Sequence, residues 1–269
     1  MKPPAIVNVM IRATEKACIG LLRDFGEVGH LQNSPKSVHK FTTHSWKRAD
    51  RKIASALLEQ KPDFGVVSKK LGTFKANDQA RFIVDSIDGV DNFMRSIAHF
   101  AVLVAVEIEK KIIACVIYDP CKNELFWAHR DHGVFLRQQR SHVSKCQQLK
   151  HALFMLDIKN FNITPSEKQP EFDTYFVNFA KKTASIQYLG SRFLGIIWFC
   201  VGRYDGCWCR GLDDDDFKIA MFLVYKAGGI ARSHLIDNHY EMVAANQTLL
   251  KPALDVAVPK LSYKILHMS

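Results

Sequence analysis

Two runs of carboxylates in this sequence have the residue types and spacing for chemistry. Asp85-Ser86-Ile87-Asp88-Gly89 ends a strand-like stretch, and Asp213-Asp214-Asp215-Asp216 opens a helix-like one. Two carboxylates three residues apart on a tight turn can face one point, and Gly89 lets the backbone approach what sits there. Oxygen donors of this kind suit a hard divalent cation such as Mg²⁺, often with a substrate phosphate completing the shell. Taken singly, each run has a plainer reading. Asp and Gly form turns, and the last Asp of the second run would cap a helix and complement its dipole.

The elements that must position these residues can be read from periodicity and breakers. Apolar residues at Ile6, Val9, Ile11, Ala17, Ile19 and Leu22 predict a helix over 5–24, and Ile53, Ala54, Leu57 and Leu58 predict another over 47–60. The polar stretch from Gly26 to His44 should separate them. Strands are expected at Phe82–Asp85, His99–Ile108, Ile112–Tyr118, Glu124–Ala128 and Gly133–Leu136, with a hairpin turn at Glu109-Lys110-Lys111. Beyond them the pattern alternates. Strands are expected at Phe154–Ile158, Ile186–Leu189 and Tyr204–Trp208, and helices at Phe172–Lys182, Phe193–Val201 and Asp216–Ala227, the last stopped by Gly228-Gly229. Asn160 to Asp173, with Pro165 and Pro170, reads as a surface loop. The fold class is therefore α+β with an antiparallel sheet in residues 1–142 and α/β in 143–269, the two packed as one compact unit.

Composition narrows the function classes. The chain has 269 residues, 48% hydrophobic and 24% charged, which suits a globular protein rather than a disordered one. Seven cysteines, an odd number with no C-x-x-C pair, argue against a disulfide framework or a zinc site. The N-terminus lacks the pattern of a signal peptide, and no run reaches the ~20 apolar residues of a membrane span. A cytoplasmic protein is expected, with no membrane partner. Neither a Walker loop nor a dinucleotide fingerprint is present. The 37 Lys+Arg against 27 Asp+Glu give a formal charge of +10, which favours anionic partners.

Longer segments carry a family resemblance. Phe82 to Phe93, FIVDSIDGVDNF, resembles the signature W-x-x-D-P-I-D-G-T-x-N-F of the inositol monophosphatase family. Gly211 to Gly229 resembles its second signature, W-D-x-A-x(4)-I-x(2)-E-A-G-G. The stretch between them, around Gly190-Ser191 and Gly202-Arg203-Tyr204-Asp205-Gly206, is similar to the family's G-S-A-A-L … G-R-x-D-G segment, and Val243-Ala244-Ala245-Asn246 to its I-A-A-N. The resemblance covers nearly the whole chain and keeps the order of motifs. It implies a layered αβαβα sandwich, usually a homodimer, that hydrolyses phosphate monoesters of small polyols or sugars with Mg²⁺. The metal positions it implies are Asp85, the Ile87 carbonyl, Asp88 and Asp216. Those for substrate are Asp88, Gly89, Val90, Gly190, Ser191, Arg192, Cys209 and Asp216, with amides near Gly89 placed to hold a phosphate.

Departures from the family pattern concentrate at the same place. Counting from Pro62, Lys69 stands where the family has a metal-binding Glu in Y-P-x-x-x-x-x-G-E-E. An ammonium donates and cannot ligate a cation. Val90 replaces a Thr that positions the attacking water. Trp46 takes the Asp of V-T-x-x-D, with Asp50 one helical turn further on as the alternative. Cys209 replaces a sugar-binding Glu, and Arg192 a small residue. These changes imply weakened catalysis, with the first metal site impaired. One expectation is that Lys69 is a tethered cation, paired with Asp85 or Asp88 in place of a metal. The other leaves Lys69 in solvent and Mg²⁺ in the remaining site, with Asp91 as a substitute carboxylate.

Two functions of different class follow. One is an Mg²⁺-dependent phosphomonoesterase of reduced activity. The other is a catalytically degenerate relative kept as a binding or regulatory protein, with transcription machinery or RNA as partner. A basic cluster, Lys36, Lys40, Lys47, Arg48, Arg51 and Lys52, and a smaller one, Arg137, Arg140, Lys145 and Lys150, suit the second class, although a solvated face is the usual explanation of such clusters.

Overall fold

The computed structural model describes residues 1–32, 34–158, 169–236 and 238–257. It forms two compact units: residues 1–140 together with 190–194, and 141–189 together with the described residues from 195 on. The loop expected over Asn160 to Asp173 lies outside the described residues as far as 168.

The first unit begins with α1 (Ala5–Val28), a 3-10 turn (Gly29–Leu31) and α2 (Pro35–Gln60). The separator expected from Gly26 to His44 is thus largely helical. It is polar because most of it faces solvent: among its described residues only Val28, Val38 and Thr42 are buried. Pro35, at the first helical turn, presets the backbone for α2. There follow β1 (Gly65–Ser68), β2 (Gly72–Lys75), β3 (Ala80–Asp88), a short α3 (Val90–Met94), β4 (Ala101–Ile108), β5 (Lys111–Asp119), β6 (Glu124–His129), β7 (Gly133–Leu136) and β8 (Gln139–Ser141). They make one eight-stranded sheet in the order β2-β1-β3-β4-β5-β6-β7-β8. The expected antiparallel pairing holds from β3 to β7, but β1 runs parallel to β3. The β4–β5 hairpin closes over Glu109 and Lys110, at φ 50° and 62°, the primed turn that matches strand twist.

Helices α1 and α2 pack on one face of this sheet. Val7, Met10, Leu21, Ile53 and Leu57 meet Phe82, Val84, Val102, Val104 and Val116. Ile83, Leu103, Ala105 and Ile117 are buried as well, so β4 reads as an unbroken apolar run rather than an alternation.

The second unit contains β9 (Leu153–Ile158), α4 (Gln169–Lys182), β10 (Ser185–Gln187), most of α5 (Arg192–Cys200), β11 (Gly206–Leu212), α6 (Asp214–Lys226), β12 (Ile230–Ile236), β13 (His239–Ala245) and α7 (Gln247–Ala257). Its mixed sheet has the order β10-β9-β11-β13-β12, with β9 parallel to β10 and β11. Residues from α4 and α7, such as Phe179, Leu249 and Ala253, cover Phe154, Leu156, Trp208 and Val243. Cys207 and Cys209 pair with Met155 and Asp157 on the other face, where Gly195 of α5 lies against Met155. Helices thus layer on both faces of this sheet.

Helix α6 starts differently from expectation. Asp213, not Asp216, is the cap: its carboxylate accepts the Asp216 N–H at 2.8 Å. The first of four acids fits the capping position, and the next three then fill the first turn, where the dipole favours them. At the far end Gly228, at φ 80°, permits the paired bonds Gly228 N–H to Tyr225 O (3.1 Å) and Gly229 N–H to Val224 O (2.9 Å) that close the last turn.

Candidate active site

The DSIDG turn is built by a bulge. On β3, Asp85 pairs with Leu103 and Asp88 with Ala101 of β4, so three steps on one strand match two on the other. Residues three apart on a regular strand face opposite ways; the extra residue restores Asp85 and Asp88 to one face. Gly89 then turns the chain at φ 99°. A Cβ there would lie 3.1 Å from the His99 carbonyl and 3.3 Å from Ser191 Cβ, so a side chain would be strained in torsion and tight in space.

Each carboxylate of the turn has an internal partner. The Lys70 ammonium forms an ion pair and hydrogen bond with Asp85 Oδ1, and it also donates to the Ile87 carbonyl at 3.0 Å. Asp85 further accepts the Ile87 N–H at 3.1 Å. Burial alone would push the Asp85 carboxyl up; the adjacent Lys70 charge and hydrogen bond, then the Lys69 charge and the Ile87 N–H, outweigh it and hold the group below the usual carboxylate range. Asp88, buried, accepts from the Ser191 hydroxyl (2.6 Å) and from the N–H groups of Phe193 (2.7 Å) and Arg192 (3.2 Å). It therefore serves the start of α5, where orphan N–H groups and the dipole both favour an anion.

The lysine pair owes its placement to Ser68 at the end of β1. The Ser68 hydroxyl accepts the N–H groups of Lys70 (3.1 Å) and Leu71 (2.9 Å), which curls the chain back toward β3. It donates in turn to Asp50 Oδ2 at 2.6 Å. Asp50, on α2, is fully buried. Burial pushes its carboxyl up, against the Ser68 and Ser86 hydroxyls and the Lys70 charge, which pull it down. Of the two candidates on α2, Asp50 is the one joined to this network. Trp46 packs against the apolar core of the unit and contributes its carbonyl to the Ser86 hydroxyl at 3.2 Å.

The remaining positions are placed as follows. Val90 is the first residue of α3 and packs against the core; Asp91 beside it is exposed. Gly190, at φ 76°, lies against the Asn92 side chain. Arg192 is buried at the start of α5. In the second unit, Cys209 is buried on β11 and Asp216 is buried in the first turn of α6. The sequence count puts Lys69 on the acids. Its neighbour Lys70 forms an ion pair with Asp85, and Lys69 adds its charge to the same carboxylate. Ser68 and Asp50 as a linked pair had no motif to mark them beyond the helical spacing of Asp50 from Trp46.

The donor set does not suit a divalent cation at Asp85. The carboxylate oxygen and the Ile87 carbonyl, two groups a metal would use, both point at an ammonium. Among the described residues, no three His, Cys, Asp or Glu side chains form a set that could hold a metal ion. Among the described residues, none of the seven cysteines is joined in a disulfide. Among the described residues, no helix is long and apolar enough to cross a membrane.

Fold and site together define a layered α/β protein with two mixed sheets and an acidic turn braced by lysine. Residues 7–249 match the inositol monophosphatase family, and the chain belongs to that family. It is 34% identical over 233 residues to the inositol-1-monophosphatase of Rhizobium meliloti (strain 1021), covering 85% of each chain. It is 28% identical over 258 residues to the Nus factor SuhB of Escherichia coli (strain K12), covering 93% of this chain and 94% of that one. The native crystal structure of the extragenic suppressor protein SuhB from Bartonella henselae superposes with a TM-score of 0.82 at 26% identity, over 96% of this chain and all of that one.

Proposed function

We propose that this chain is an inositol monophosphatase family member that binds rather than turns over, its phosphatase site rebuilt around an internal cation. The observation that carries this reading is the Lys70 ammonium on Asp85 Oδ1 and the Ile87 carbonyl. The family generally uses Mg²⁺, and the motifs assign both oxygens to metal binding. A cation on a covalent tether cannot exchange. It carries one charge where a metal carries two, and it has no open position at which to activate water. Val90 for Thr and Cys209 for Glu remove further parts of the hydrolytic set. The relatives include proteins named as phosphatases and proteins named as a Nus factor, and a binding role follows the second.

The test is phosphate release from inositol 1-phosphate and several sugar phosphates over a Mg²⁺ titration. Wild type, Asp85→Asn, Lys69→Glu/Lys70→Glu and the same pair with Val90→Thr are compared. No wild-type turnover, with activity appearing in the charge-reversed variants, is the expected result. Wild-type turnover at the level of an active relative, lost in Asp85→Asn, sinks the proposal and leaves an Mg²⁺-dependent phosphomonoesterase.

A further inference from the structure

The first basic cluster of the sequence takes no part in the site above. It lies on α2, and where α2 meets the second half of α1 there is a groove of about 290 Å³. Ala17, Leu21 and Ala49 supply its apolar surface, and Gly20 leaves it open. Ile19 stands at its edge with 73% of its surface in solvent. The rim carries Arg23, Arg48 and Lys52. Arg23 and Arg48 both reach the single carboxylate of Asp24, so three cations face one anion and the rim stays positive.

We propose that this groove docks an acidic amphipathic helix of a partner protein. An apolar anchor would seat over Ala17, Leu21 and Ala49, and flanking carboxylates would meet Arg23, Arg48 and Lys52. Charge complementarity selects this occupant. A second copy of the same face would bring like charges together. Residues 258–269 of the chain itself carry Lys260 and Lys264 and no Asp or Glu side chain. Single-stranded RNA is recognised largely by stacking on aromatic rings, and none lines the groove. The volume is at the small end for a free ligand, so it holds an anchoring side chain of a longer segment. The inference does not depend on whether the acidic turn is catalytic.

The test is fluorescence anisotropy with three labelled probes on the full chain. One is a helical peptide of about five turns with Leu at i, i+3, i+4 and i+7 and Glu on both flanks. The second replaces each Glu with Lys, and the third is a single-stranded RNA of similar length. Ile19→Ser and Lys52→Glu change exposed or half-buried residues and should leave the fold intact, which circular dichroism checks. The expected result is saturable, salt-weakened binding of the Glu peptide. Each variant should weaken it by about tenfold, and the Lys peptide should not bind. Failure of the Glu peptide to saturate by millimolar protein, or binding by either variant as tight as by wild type, overturns the proposal. So does RNA binding that Lys52→Glu abolishes and Ile19→Ser leaves alone, which would make the face an electrostatic nucleic-acid surface.

Discussion

The two acidic runs solve one electrostatic problem in different ways. At Asp85 and Asp88 the carboxylates are largely buried. One is neutralised by a lysine side chain, the other by a hydroxyl and two amides of α5. At Asp213–Asp216 the first acid caps α6 and Asp214, exposed, pairs with Lys218 one turn along. The first arrangement is tertiary: its partners come from residues 15 behind and about 100 ahead in the chain. The cap by Asp213 and the Asp214–Lys218 pair of the second are local, with partners three and four residues on. What a cluster of acids does is set by the positive groups that face it, and those are encoded elsewhere in the sequence.

The sharpest way to break this comparison is Asp88→Ala. It removes three hydrogen bonds from a buried helix start, two of them from N–H groups left without a partner. A loss of about 3 kcal/mol is expected, since buried bonds to a charged group and orphaned donors each cost more than a surface cap. Urea denaturation measures it. A loss below about 1 kcal/mol would show that α5 does not depend on Asp88.

Next in size is Lys70→Met, which removes from the Asp85 carboxylate and the Ile87 carbonyl the ammonium that both contact, leaving only the Lys69 charge nearby. A destabilisation of about 2–3 kcal/mol is expected for a pair this little exposed. The informative measurement is the melting temperature with and without millimolar Mg²⁺. Wild type should not respond, while the variant should regain several degrees, because a cation that binds only the folded state stabilises it. A wild-type response equal to that of the variant would mean that Lys70 does not occupy the cation's place.

Much of this was legible from residue patterns and some was not, for reasons visible at particular residues. Strands β4 and β5 and helix α6 were readable because their apolar periodicity and end signals are local. The helical parts of 26–44 were missed because exposed helix and loop share a polar composition. The acids and their departures from the family pattern were readable as well. The second lysine was not: a count from Pro62 reaches Lys69, whose charge acts on Asp85, but the Ser68 hydroxyl, by holding the Lys70 and Leu71 N–H groups, turns the chain so that Lys70 meets Asp85 as well. Nothing in a one-dimensional pattern records that turn. Asp50 was available only as an alternative to Trp46, because both lie on the same side of α2 and only the tertiary structure shows which one meets Ser68.

A pH titration separates two buried acids that sit near one lysine and shift in opposite directions. Asp85 is held below its unfolded value, so its contribution is present above about pH 4 and is lost as pH falls further, through the native value. Asp50 is pushed above its unfolded value, so its charge costs stability at neutral pH. Lowering the pH through its native value relieves that cost, and stability rises toward about pH 4 before the Asp85 loss sets in. The expected profile of urea stability therefore has a local rise above pH 4 that Asp50→Asn removes and Lys70→Met does not. A rise that survives in Asp50→Asn would assign it to another group.

The smallest effect tests the local arrangement. Asp213→Ala removes the cap of α6 and should cost about 1 kcal/mol, whereas Asp213→Asn, which keeps a side-chain acceptor for the Asp216 N–H, should cost a few tenths. Asp214→Asn breaks only an exposed pair with Lys218, one helical turn away, and should be nearly silent. The order Asp88, Asp213, Asp214 is the substance of the comparison. If Asp214→Asn destabilised as much as Asp213→Ala, the run would be acting as a charged unit rather than as a cap followed by dipole-complementing acids. The distinction between local and tertiary neutralisation would then fail at its simplest site.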